Sequence, residues 1–141
     1  MPWPFKSVGV TGTRQGATRE QKIGIRALLL ATGCKELHEG DCVGVDAETV
    51  EIAREIQGIR IVSHPPVNPK YRAYAYFDIE RPLGEYLIRN ENIVNETQAL
   101  IGVPKGIYEE LRSGTWACIR YARKIKRPTY IVQPNGNIVS C

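Results

Sequence analysis

Short apolar runs and helix-periodic segments take turns along this chain, and nearly every boundary carries a glycine or a proline. The run "SVGVTG" at 7–12 closes on Gly12, and Lys35–Gly40, Ile59–His64, Gln98–Pro104 and Pro128–Val132 repeat the pattern. An apolar run of this length bounded by turn residues is the mark of a buried strand. Between the runs, apolar spacing predicts helices. The first spans Arg19–Ala31, with Ile23, Ala27, Leu28, Leu30 and Ala31 inward and Gly33 as its stop. A second covers Val45–Ile56 with Val50, Ala53 and Ile56 inward, and a third covers Glu85–Thr97. The fourth, Thr115–Lys126, has Cys118, Ile119, Ala122 and Ile125 on one face. Such alternation predicts an α/β fold: a mostly parallel sheet of about five strands with helices on both faces. Asn135-Gly136 reads as a hairpin turn into a short last strand at Ile138-Val139.

A chain of 141 residues fits one domain over 1–141, with 43% hydrophobic and 24% charged residues, as in ordinary globular proteins. No apolar run approaches the roughly 18 residues that span a bilayer, and Met1-Pro2-Trp3-Pro4 is no signal peptide, so a cytoplasmic location is expected. The net charge of +4 suits an anionic small molecule, whereas its even spread along the chain argues against a nucleic-acid partner. Cys34, Cys42, Cys118 and Cys141, even taken with His38 and His64, lack the ligand spacing of a metal site. No metal and no separate cofactor are expected.

Right-handed crossovers place the loops that follow parallel strands along one sheet edge, where ligands bind. Four stretches belong there. Gly12, Thr13 and Arg14 offer backbone N–H groups, a hydroxyl and a guanidinium to a phosphate. Gly40 and Gly44 permit tight turns before Asp46, which serves either a ribose hydroxyl or the positive end of the second helix. Arg89 and Asn90 enter the third helix behind a long segment, Val67–Gly84, whose length and aromatic content suit a lid. Arg112, Ser113, Gly114 and Thr115 open the fourth helix, where free N–H groups make an anion site. Ser113 alone would be only a cap. Together the four read as a phosphate-binding rim.

The ordered set "VTGTR", "HEGDCVGVDAE", "HPP", "RNENIV" and "RSGTWACIRYAR" resembles the SLOG superfamily of Rossmann-like proteins, over Ser7–Val132. That group includes the LOG phosphoribohydrolases, the DNA-processing protein DprA and the YspA-like proteins of bacteria and phages, and the YspA-like branch is the most similar. The resemblance implies a nucleotide or nucleotide-derived ligand. Thr13, Arg14, Gly114 and Thr115 would meet its phosphate, and Gly40, Gly44 and Asp46 would line the nucleoside side. LOG enzymes share a PGGxGTxxE motif whose Glu contributes to N-glycosidic cleavage. Here Gly114-Thr115 keeps the "GT", Arg112-Ser113 replaces the glycine pair, and Cys118 stands at the Glu position.

Two functions stay open on these residues. One is a sensor or binding protein for a nucleotide. The other is a LOG-like nucleoside monophosphate phosphoribohydrolase, with Glu39, Asp41, Asp46 or the tyrosines Tyr71, Tyr74 and Tyr76 supplying what Cys118 does not. Single-stranded DNA binding by analogy with DprA ranks below both. Catalytic residues are unassigned. A homodimer through Trp116 and the apolar side of the third helix is left open beside a core role for them.

Overall fold

A computed structural model describes residues 3–141; Met1 and Pro2, half of the tetrapeptide read as no signal peptide, lie outside the described residues. Twelve elements follow in chain order. They are β1 (Ser7–Gly12), α1 (Arg19–Ala31), β2 (Glu36–Glu39), α2 (Val45–Arg54), β3 (Arg60–Ser63), a 3₁₀ turn (Pro69–Tyr71), β4 (Ile79–Glu80), α3 (Tyr86–Asn95), β5 (Ala99–Val103), α4 (Gly114–Lys124), β6 (Thr129–Val132) and β7 (Ile138–Ser140). The strands form one sheet in the order β4-β3-β2-β1-β5-β6-β7. All neighbours pair in parallel except β7, which returns antiparallel to β6. Among the described residues, no helix is long and apolar enough to cross a membrane.

The sheet is covered on both faces, and its strands alternate between two cores. On one face α1 and α2 supply Ile25, Leu28, Leu29, Val45 and Val50 against Val8, Val10, Leu37, Ile61, Ile101 and Val103. On the other, Val94 of α3 and Trp116, Ile119 and Ala122 of α4 cover Leu100 and Ile131. Each such aliphatic side chain contributes about 2 kcal/mol when fully buried. Trp116 is therefore core, while Leu87 and Ile88 of α3 stay exposed.

The α/β class and the two-faced sheet are as the sequence predicts, but seven strands replace about five. One addition, β7, is the short last strand expected after Asn135-Gly136. The other, β4, lies inside the long segment at 67–84, where two residues pair with Val62 and Ser63. A strand of that length leaves no periodic signal.

The inward face of α1 also differs from expectation. Gln21, Gly24, Ile25, Leu28 and Leu29 are buried, whereas Ile23 and Leu30 are 60% and 56% exposed. Apolar residues surround this helix, so their spacing alone does not choose a face. A polar residue decides it. Gln21 completes a capping box with Thr18, and its buried amide donates to the carbonyls of Pro104 and Val132 at 2.8 and 3.0 Å. Those two bonds hold α1 by its Gln21 side against the ends of β5 and β6.

Candidate functional site

Strand order reverses between β1 and β5, because the chain winds outward from β1 toward β4 and from β5 toward β7. The loops leaving these two strands part there and open a cleft. Its volume is about 370 Å³. The β1 loop contributes Gly12, Thr13, Arg14 and Gln15, and the β5 side contributes Lys105, Glu110 and Arg112–Thr115. Thr13–Arg14 and Gly114–Thr115, a hundred residues apart in sequence, share one wall of space.

The α4 end of the cleft is built for an anion. Ser113 caps the helix by accepting the Trp116 N–H at 3.3 Å. Gly114 and Thr115 occupy the first turn, where backbone N–H groups have no acceptor within the helix. Among the described residues, neither Arg14 nor Arg112 enters an ion pair, so both keep their charge for the cleft. Lys105 is shared with Glu110 at 3.7 Å across half-exposed side chains, a pair worth little. A Cβ at position 114 would fall on the Tyr86 hydroxyl, so glycine there lets the Tyr86 side chain lie over the start of α4.

Tyr86, the first residue of α3, is the wall that sequence reasoning missed. Its ring stands 5.8 Å from the Arg14 guanidinium and 5.1 Å from that of Arg89. The only sequence signal was its place just after Gly84-Glu85 at a helix start on the loop edge. Lys105 and Glu110 were missed as well, since loop length between Pro104 and Arg112 hides which side chains fold back.

Behind the cleft floor, the β2 loop and α3 meet in a buried polar cluster. Arg89 is buried and its donors go to protein acceptors. Nη1 donates to the carbonyls of Gly40 and, at 3.2 Å, His64, and Nε donates to Asn90 Oδ1 at 2.9 Å. Gly40 has no Cβ because Arg89 passes through the space it would fill. Gly44 N-caps α2 with a φ of 93°, and Asp46 in the first turn accepts the Cys42 N–H at 3.2 Å. Burial raises the Asp46 carboxyl to about 6, with the Arg89 charge opposing that rise. Arg89, Asn90 and Asp46 thus border a cavity of only about 20 Å³ with Gly12 and Tyr86 above it. Arg89 braces the β2 and β3 loops from behind the cleft, and Asp46 borders the small cavity beside it.

The other carboxylates considered for catalysis do not line the cleft. Glu39 is fully buried, and its Oε1 accepts the Asp41 N–H at 2.7 Å while Oε2 has no hydrogen-bond partner among the described residues. Burial first, and Asp46 next, push its carboxyl well above the usual range. Asp41 pairs with Arg72 at 2.9 Å and accepts the Ala75 N–H at 3.0 Å. Those bonds pin the segment at 67–84, as do Val43 N–H to the Tyr71 carbonyl and Ala73 N–H to the Asp41 carbonyl. The lid-like segment is a fixed wall. Tyr71 faces Arg14 with the guanidinium 3.8 Å from its ring centroid, while Tyr74 and Tyr76 point outward and exposed.

His38 and His64, distant in sequence, pair in the core: His38 Nδ1 and His64 Nε2 lie 2.8 Å apart, with Glu36 on the far nitrogen of His38. Burial, then His38, then Arg81 and Arg89 lower His64 to about 3. Its folded form therefore refuses a proton that the unfolded chain accepts near 6.5. Stability contributed by neutral His64 is present above that value and is lost as pH falls toward 3. Asp46, raised to about 6, acts in the opposite sense between its unfolded value and 6. A difference measurement separates the two. Urea denaturation of wild type and His64→Gln between pH 7 and 4 is expected to show wild type losing ground to the variant on acidification; parallel curves would contradict it.

Scans against protein-family models and against curated proteins return no match. Solved structures do match. A molybdenum cofactor binding protein from Rippkaea orientalis superposes with a TM-score of 0.69 at 23% identity, over 94% of this chain and 78% of that one. The molybdenum cofactor carrier protein of Chlamydomonas reinhardtii gives 0.62 at 23% over 89% and 74%. DNA processing protein A from Helicobacter pylori, described with a single-stranded DNA binding mode, gives 0.60 at 20% over 92% and 65%. These likenesses show a Rossmann-like α/β fold. Cys118 is buried one turn into α4. Burial pushes its thiol up to about 12, opposed in part by a hydrogen bond with Thr11, and Sγ donates to the Asn90 carbonyl at 3.9 Å. A thiol so placed offers no negative charge.

Proposed function

We propose that the chain binds a nucleotide or nucleotide-derived small molecule as a sensor or binding protein, with the phosphate at the α4 end of the cleft. The convergence of Thr13–Arg14 with Gly114–Thr115 carries this reading. Three sources of positive potential meet there: the first turn of α4, Arg14 and Arg112. The molybdenum cofactor proteins of similar fold support a small-molecule role in general.

Turnover at an N-glycosidic bond has less support. An oxocarbenium-like centre needs a carboxylate beside it. Cys118 supplies none, Asp41 is tied to Arg72, and Glu39 is sealed in the core. Asp46 borders only the small cavity behind the cleft, and its carboxylate accepts the Cys42 N–H.

Isothermal titration with ribose 5-phosphate, nucleoside monophosphates, cyclic nucleotides and ADP-ribose tests the binding claim. At least one is expected to bind at micromolar levels, and none tighter than about 1 mM would overturn it. Chromatography of the same mixtures after incubation is expected to show no free base. Release of base that Asp46→Asn abolishes in a folded protein would replace the sensor by the hydrolase.

A further inference from the structure

Arg14 and Tyr86 also line a second cavity, of about 250 Å³, whose other walls include Pro66, Val67 and Tyr71. Its surfaces are flat and largely apolar. The Arg14 guanidinium lies against the Tyr71 ring on the side between the two cavities. A planar ring attached to a phosphate in the first cleft would be covered here by aromatic and guanidinium faces.

Two polar side chains stand on the lining, Asn68 and Glu85. Their segments are held side by side by the parallel bridge between Pro66 and Gly84. Val67 N–H donates to the Gly84 carbonyl at 3.2 Å, and Gly84 N–H donates to the Pro65 carbonyl at 3.1 Å. The bridge brings Asn68 and Glu85 out on adjacent segments just beyond it. Asn68 Oδ1 accepts the Lys70 N–H at 3.0 Å, which fixes the amide orientation and leaves its NH₂ to donate. Glu85 precedes α3 without making a side-chain cap, and among the described residues it enters no ion pair. It can only accept.

Building on the nucleotide reading above, we infer that this cavity takes the heterocycle of the ligand and selects the 2-amino-4-oxopyrimidine edge shared by guanine and pterins. That edge presents a carbonyl oxygen beside a ring N–H and an exocyclic NH₂. The carbonyl suits the free Asn68 amide. The two donors suit the Glu85 carboxylate, a charge-assisted pairing that a neutral acceptor cannot match. Adenine presents a lone pair where Glu85 needs a donor, so a carboxylate would face an acceptor with no proton between them.

Titration calorimetry with ribose 5-phosphate, AMP, IMP, GMP and neopterin monophosphate separates the claims. GMP or neopterin monophosphate is expected to bind at least about tenfold tighter than AMP, with IMP, which lacks the amino group, between. Whichever of the two is tighter identifies the source of the ring. Glu85→Gln, at an exposed position where folding is not at stake, is expected to bring the GMP-to-AMP ratio close to one. Ribose 5-phosphate binding together with equal affinity for AMP and GMP, or a ratio unchanged in Glu85→Gln, would overturn the ring assignment alone. Failure of all five probes would take the phosphate reading with it.

Discussion

Replacing Arg89 by leucine is expected to cost the fold about 3 kcal/mol or more, the largest effect of any single change at the cleft. Three acceptors lose their donor at once: the carbonyls of Gly40 and His64, and Asn90 Oδ1. A buried acceptor left without a partner costs about 1–3 kcal/mol. The same change removes the cation that offsets Asp46 and leaves a buried carboxylate uncompensated, which in general costs several kcal/mol. Asp46 would take up a proton and limit part of that loss. Arg89→Lys is expected to fall between, because an ammonium has no planar fork to reach acceptors on three segments. Urea denaturation reads both variants, and a loss under about 1 kcal/mol in Arg89→Leu would show that water repairs the cluster.

Arg14→Ala is expected to do the reverse: to abolish most phosphate affinity and leave the fold standing. Its guanidinium borders the anion cleft and the ring cavity, yet its contacts within the described residues are stacking on Tyr71 and, more distantly, Tyr86. A charged hydrogen bond to an anion is worth about 1.5–3 kcal/mol, so affinity for ribose 5-phosphate should fall roughly 10- to 100-fold. The denaturation midpoint should shift little, as one exposed cation–π contact is worth about 0.5–1 kcal/mol. Affinity within threefold of wild type would place the phosphate elsewhere. An equal loss of stability would mean that Arg14 acts through the fold instead.

These two arginines mark how far the amino-acid order reaches. Arg14 stands at a strand-following loop and Arg89 near the start of a helix behind one, and both fit an anion equally well on residue type. Their fates diverge through neighbours. Arg14 follows β1 into the open switch of strand order, while Arg89 enters α3 under the β2 and β3 loops, where backbone carbonyls claim it. Asp41 and Asp46 part in the same way. One binds Arg72 of the segment whose length suited a lid, and the other is buried beside Arg89 behind the cleft.

Local order alone determined the α/β class, the parallel core strands and the helix starts at Arg19, Val45 and Gly114–Thr115 within a residue. Periodicity and capping are short-range effects, so they survive in the sequence. Tertiary structure decided the rest: the face that α1 buries, the strand hidden at Ile79–Glu80, the pairing of His38 with His64, and Tyr86 as the wall between two cavities. Each of those depends on groups from different strands and loops meeting at about 3–4 Å, and no spacing along the chain encodes a distance across it.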